Sequence, residues 1–241
     1  MNSNADIHKA NREKLIYEMK EGNFKNSKRL PRETVLSEQL GISRTQLRDV
    51  LSGLEQEGFI TRKLGVGTII NHHVLQVKSR MDIETEFLDI IRQNGKEPSV
   101  SFLEVTEDQA DAEAAEKLNI AEGTPVIRIR LVCDADGHPA IYSEDVLEKD
   151  LVKKDYTSEE MQVIVFQFLQ QFCEVEAYLD LTELHPVVAD QHLADILQVE
   201  QGTPLLNMEE VDYDIEGKPL FYSRQYFVDG YFNHTVLRKK F

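Results

Sequence analysis

The segment LNIAEGTPVIRIR, residues 118–130, returns as LQVEQGTPLLNME at 197–209, and DGHPAIYS at 136–143 returns as EGKPLFYS at 216–223. The spacing is 79 residues in the first pair and 80 in the second. This echo restricts the fold more than any figure of composition, because both copies have to be built from the same parts. Each copy predicts a small helix, a Gly-Thr-Pro turn, a strand, a DG or EG hairpin turn and a returning strand. Hairpins repeated in this way join one antiparallel sheet with helices on a face, so an α+β domain is expected. Between the copies, TSEEMQVIVFQFLQQF predicts a helix, with Thr157 and Glu160 at capping-box spacing.

Charge divides the chain in another way. The 241 residues carry a formal net charge of −16. Residues 1–80 hold 14 basic and 9 acidic side chains, a net +5, and the remainder 13 against 34, a net −21. A basic N-terminal third on a strongly acidic remainder predicts two modules with different partners. The first can approach a polyanion, which the second would repel. The expected boundaries are 1–73 for the first module, 74–80 for a linker and 81–241 for the second. Apolar runs are too short to span a bilayer, and MNSNADIHKANREK lacks the apolar core of a secretory signal. Cys133 and Cys173 form no CxxC pair, which suits a reducing cytoplasm.

The N-terminal module reads as three helices and a short β pattern. Ile7, Leu15, Ile16 and Met19 share one side of the first helix, with Gly22 as its stop. Pro31 opens the approach to a second helix, Val35, Leu36 and Leu40 form its buried face, and Gly41 ends it. Ser43 can cap the third, where Leu47, Val50, Leu51 and Leu54 make an apolar stripe. Two helices across a tight turn, the second opening with Arg44, Thr45, Gln46 and Arg48, have the shape that enters a DNA major groove. Arginine donates two bonds to guanine and glutamine pairs with adenine. FITRKLGVGTII then predicts a wing, with Arg62 and Lys63 before its tip.

These residues carry a family resemblance. LPRETVLSEQLGISRTQLRDVLSGLEQEGFITRKLGVGT resembles the winged helix-turn-helix of the GntR family of bacterial transcription regulators, without gaps, over both wing glycines. The resemblance implies that Arg44 and Arg48 contact DNA, that Thr45 stands at the tip of the recognition helix, and that Gly67 brings the wing backbone to the minor groove. Arg32 replaces the family's usual Ser and Gln46 its usual Thr, so both join the candidate DNA-binding residues and point to a different operator.

In the second module Arg128 and Arg130 alternate with Ile127, Ile129 and Leu131, so both project from one face of a strand. Their repulsion would be relieved by an anionic ligand gripped between them, or by salt bridges to nearby carboxylates. Gly-Thr-Pro, the R-x-R strand, DG-x-P and YSRQYF resemble the UTRA effector-binding domain of the HutC subfamily of GntR regulators, whose fold is similar to chorismate lyase. The resemblance implies that Arg128 and Arg130 contact the anionic part of a small effector, with Tyr142, Ser143, Tyr222 and Ser223 as further pocket candidates. Val163-Ile164-Val165 stands where many members have Ser-Leu-Tyr, and Phe227-Val228-Asp229 where R-G-D is frequent. Both changes remove polar groups and make a sugar phosphate a poorer fit.

No metal site, cofactor or catalytic residue is expected: His72-His73 makes a poor chelating pair when extended, and no Walker loop or G-x-S-x-G is present. The expected protein is a cytoplasmic, homodimeric, non-enzymatic repressor on palindromic double-stranded operator DNA, released by a small anionic effector. A constitutive DNA-binding dimer and a lyase-like enzyme are the alternatives.

Overall fold

The structure, a computed structural model, describes residues 4–83, 85–155, 157, 160 and 163–239. The chain forms two compact units, one from Met1–Glu84 together with His234–Phe241, the other from Thr85–Asn233.

In the first unit helix α1 spans Asn4–Lys20, α2 Glu33–Leu40 and α3 Arg44–Gln56. Leu15 and Met19 of α1, Leu36 and Leu40 of α2, and Leu47, Val50, Leu51 and Leu54 of α3 close one core. Ile7 and Val35 differ from expectation and are exposed. In α2, Leu36 and Leu40 lie four residues apart and point inward, which turns Val35 about 100° away from the core. Gly41 sits at φ +70, a left-handed position glycine takes without strain, and Ile42 N returns to Ser37 O at 3.1 Å. Strands β1 (Ile60–Lys63) and β2 (Gly67–Ile70) pair antiparallel as the wing. Helix α4, His72–Leu75, follows, and its Val74 and Leu75 are buried in the same core. All of the expected linker at 74–80 therefore lies inside the first unit, where the side chains of Val74 and Leu75 reach its core.

The second unit opens with helix α5 (Phe87–Gln93) and β3 (Pro98–Gln109), then α6 (Ala112–Leu118), β4 (Pro125–Ala135) and β5 (His138–Glu148). After helix α7 (Val165–Phe168) the pattern repeats as β6 (Leu179–Val188), α8 (Gln191–Leu197), β7 (Pro204–Tyr213) and β8 (Pro219–Val228). The six strands form one antiparallel sheet in the order β3-β4-β5-β8-β7-β6, so the two copies meet at the β5–β8 pair. The repeat extends to the caps: Asp111 and Asp190 each accept from the amide three residues on at 2.8 Å, and Asn119 and Gln198 end α6 and α8 at left-handed φ.

Glu144 and Arg224, equivalent positions 80 residues apart, face each other at the junction of the copies. Helices α6 and α8 cover one face of the sheet, burying Leu118, Val126 and Val211, and Val132, Leu193 and Leu197. On the other face α7 and the π-helical turn at Leu169–Cys173 pack on Ile127, Ile129, Leu147 and Phe221. Thr157 and Glu160 exchange their capping-box bonds at 2.9 and 3.2 Å. The helix expected from Thr157 begins at Val165 in the structure, and 158, 159, 161 and 162 lie outside the described residues.

Candidate nucleic-acid interface and effector domain

Helix α3 starts where Ser43 Oγ accepts from Gln46 N at 3.2 Å and Gln46 Oε1 accepts from Ser43 N at 3.0 Å. Gln46 is thus occupied as a helix cap, and the bidentate pairing expected of it needs the oxygen the cap already uses. Arg44, Thr45 and Arg48 stand exposed on the same opening turns, and Arg32 is exposed just before α2. Arg48 Nε bonds Glu33 Oε2 at 2.8 Å, with side-chain exposures of 59% and 33%. Arg62 is held by Glu55 through its Nε and its backbone amide, both at 2.7 Å. Lys63 and Gly67 are exposed on the wing. Exposed pairs of this kind contribute about 0.2–1 kcal/mol, so a phosphate or a guanine edge can displace the glutamate.

The sequence did not single out Arg29. Its Nη1 donates to Val66 O at 3.0 Å, while Leu30 N and Ile70 N bond Thr68 O and Lys28 O, so the chain before α2 fastens the wing. Nothing local marks this role, since the partner lies 37 residues away.

In the sheet, strand alternation divides the six expected effector residues between two faces. Arg128, Arg130, Tyr142 and Tyr222 lie on the face of α6 and α8, whereas Ser143 and Ser223 lie on the opposite one. Both arginines are already paired with carboxylates. Arg128 bonds Glu144 at 2.7 Å, Asp108 at 3.3 Å and Asp111 at 3.5 Å, and its side chain is 6% exposed. Arg130 bonds Glu104 and Glu144 at 2.8 Å each, and Arg224 bonds Glu144 at 3.1 Å and Glu113 at 3.3 Å. Tyr222 Oη donates to Glu113 at 2.8 Å. Burial alone would raise Glu144, but the bond from Arg130 and the charges of Arg128, Arg130 and Arg224 hold it below the usual carboxylate range. Salt bridging, the alternative to an anion clamp, is what the sheet builds.

On the other face Ser143 and Ser223 donate to the same Asp145 oxygen at 2.8 and 2.6 Å. Asp145, Ser223, Glu210 and Thr182 then form one row across β5, β8, β7 and β6. Burial pushes Asp145 up to about 6 against the two serine bonds, and burial with the charge of Asp180 pushes Glu210 up to about 7. Among the described residues no salt bridge neutralises Asp145 or Glu210. Val163 packs against the α7 cluster, and Phe227 is buried edge-on to Phe87 and Phe232, so both departures from the family pattern serve packing.

A winged helix with an arginine-bearing reading helix, joined to a duplicated sheet domain of this topology, defines a DNA-binding regulator of transcription. The family pattern described as "Bacterial regulatory proteins, gntR family" matches residues 11–70, and that described as "UTRA domain" matches 93–233. The chain belongs to the GntR family of bacterial regulators, in the HutC type that carries a UTRA domain. It is 24% identical over 212 residues to the histidine utilization repressor of Pseudomonas putida, covering 84% of this chain and 80% of that protein. It is 23% identical over 201 residues to the transcriptional repressor NagR of Bacillus subtilis, covering 83% and 82%. The crystal structure of the possible transcriptional regulator YydK from Bacillus subtilis superposes with a TM-score of 0.76 at 21% identity, covering 96% of this chain and 99% of that one.

Proposed function

We propose that the protein is a dimeric repressor, acting in the cytoplasm on a palindromic operator, whose grip on DNA is weakened by a small molecule bound in residues 85–233. The observation that carries the DNA half is the exposed Arg44–Arg48 turn at the start of α3, set beside a wing that presents Arg62 and Lys63. Support for repression comes from the relatives, among them the histidine utilization repressor of Pseudomonas putida and the repressor NagR of Bacillus subtilis. Binding of the purified protein to its own promoter and to a scrambled duplex, at physiological salt, tests it. Equal affinity for the two removes sequence-specific regulation.

One winged helix covers half a site, so two-fold pairing is needed for a palindrome. Edge strand β6 offers the surface: Leu179 and Leu181 on one of its faces, and Leu184 and Val188 on the other, are exposed along the sheet edge. Leu181→Glu should give monomers in sedimentation, and an unchanged dimer would move the interface elsewhere.

The UTRA match supports sensing, and the ion pairs argue against the anion clamp. A ligand that meets the row of Asp145, Ser223 and Glu210 meets carboxylates without a salt-bridged cation, so an amine or a polyol suits it better than a phosphate. A thermal-shift screen of amines, polyols and sugar phosphates checks this, because a ligand at about 100 times its Kd adds about 2.7 kcal/mol. Preference for the sugar phosphates would reinstate the arginine face. A differential affinity of about 10- to 100-fold between DNA-bound and released forms is enough for a switch.

A further inference from the structure

The first unit is discontinuous. It is completed by His234–Phe241, a segment beyond both matched regions, which end at residues 70 and 233. Thr235 pairs with Arg80: Met81 N donates to Thr235 O at 2.9 Å and Thr235 N to Ser79 O at 3.2 Å. Leu237 N donates to Asp82 at 3.3 Å, and its side chain packs against the helical core. It enters over Gly58, where an added Cβ would stand 2.3 Å from Leu237 Cδ2. Lys239 Nζ then donates to Glu55 O at 2.7 Å and Gln56 O at 2.6 Å, the last two carbonyls of α3.

A helix ends in carbonyls without intrahelical partners and a partial negative charge, which a cation in the last turn normally answers. Helix α3 has no basic residue in its last turn. Among the described residues, two cations bond the backbone carbonyls of this end from outside the helix. Arg80 Nη1 bonds Glu57 O at 2.6 Å while its guanidinium lies 5.2 Å over the Phe59 ring, and Lys239 takes the two carbonyls before it.

We infer that His234–Phe241 is a working part of the DNA reader, with Lys239 and Leu237 as positioning residues that fix the C-terminal end of the recognition helix. Tilt at that end moves Arg44 and Arg48 at the other, because a 13-residue helix behaves as a short rigid rod. The tail also gives the sheet unit a second covalent connection to the reader, since both ends of Thr85–Asn233 run into the first unit. This rests on the DNA-binding reading above, and the wild-type chain in the same assay reports that reading separately.

The test measures affinity for the protein's own promoter over a range of salt. Variants are a chain stopped after Asn233, Leu237→Ala, Lys239→Met and Lys239→Arg. Stopping after Asn233 is expected to weaken promoter binding about tenfold or more, and Lys239→Met about three- to tenfold with an unchanged salt slope. Lys239→Arg should restore most of the loss, since it returns a cation to the same carbonyls. A shortened chain that folds and binds like wild type overturns the inference. So does a Lys239→Met loss with the slope reduced by about one, which would make Lys239 a phosphate contact. If the shortened chain does not fold, the two Lys239 variants decide: no loss in Lys239→Met, or no rescue in Lys239→Arg, overturns it.

Discussion

Arg48 in the DNA reader and Arg128 in the sheet each bond one glutamate closely, at 2.8 and 2.7 Å, yet their side chains are 59% and 6% exposed. Burial makes the same chemical pair serve opposite ends. At the surface, water screens the Arg48–Glu33 attraction and hydrates either partner on separation, so the pair opens at little cost. Inside the sheet, separating Arg128 from Glu144 would give up a 2.7 Å bond that little water is at hand to replace, so the pair holds the structure together. Arginine content alone therefore does not locate a ligand; the solvent around the guanidinium decides whether it can change partners.

The sharpest way to break this comparison is to remove the shared buried partner. Glu144→Ala leaves Arg128, Arg130 and Arg224 without their common carboxylate and should cost about 3–5 kcal/mol in denaturant unfolding of the sheet unit. Glu33→Ala, which removes the surface partner of Arg48, should change stability by less than about 1 kcal/mol. Similar losses in the two variants would erase the distinction.

Asp145 sharpens it from the side of a buried group without a cation. Its folded pKa is raised to about 6 from the usual 3.8, so the native state binds the proton more tightly than the unfolded chain does. The carboxylate's penalty is therefore absent below about pH 4, grows as pH rises, and is complete above about pH 6. Asp145→Asn should match wild-type stability near pH 4 and exceed it by about 1–3 kcal/mol at pH 7, in unfolding curves taken across that window. A difference that shrinks with rising pH would refute the sign.

Effects on DNA come next. Arg48→Ala should weaken promoter binding by about 1–3 kcal/mol while leaving the unfolding midpoint nearly unchanged. The smallest effect is expected for Lys63→Ala on the wing, a few-fold loss spread evenly over all duplexes, with a salt slope lower by about one.

Local features were legible because their causes are local. Ser43, the stripe from Leu47 to Leu54, the turn at Gly41 and the two wing strands follow from neighbours within a few residues, and all form. The duplicated hairpins were legible because each copy contains its own turn and both strands. Val35 turns outward against its apolar pattern, since an eight-residue helix gives too little pattern to fix its inner face. Gln46 has the chemistry of a base contact, and its return to Ser43 shows the cap competing for the same oxygen. Alternation placed Arg128 and Arg130 on one face, but their partners come from β3, β5 and the start of α6, which strand register and helix packing set.

The amino-acid sequence by itself determined which segments become helices and strands, that the sheet is built twice, and which side chains open the recognition helix. Those outcomes depend on spacing, turn chemistry and apolar period, which act over a few residues. Tertiary structure alone decided that the sheet arginines are paired with carboxylates, that the two serines share a buried carboxylate, and that Lys239 returns to cap α3. Each of these joins groups far apart in the chain, as in the 183 residues between Lys239 and Gln56. Their energies depend on who is buried beside whom, and a one-dimensional pattern does not carry that information.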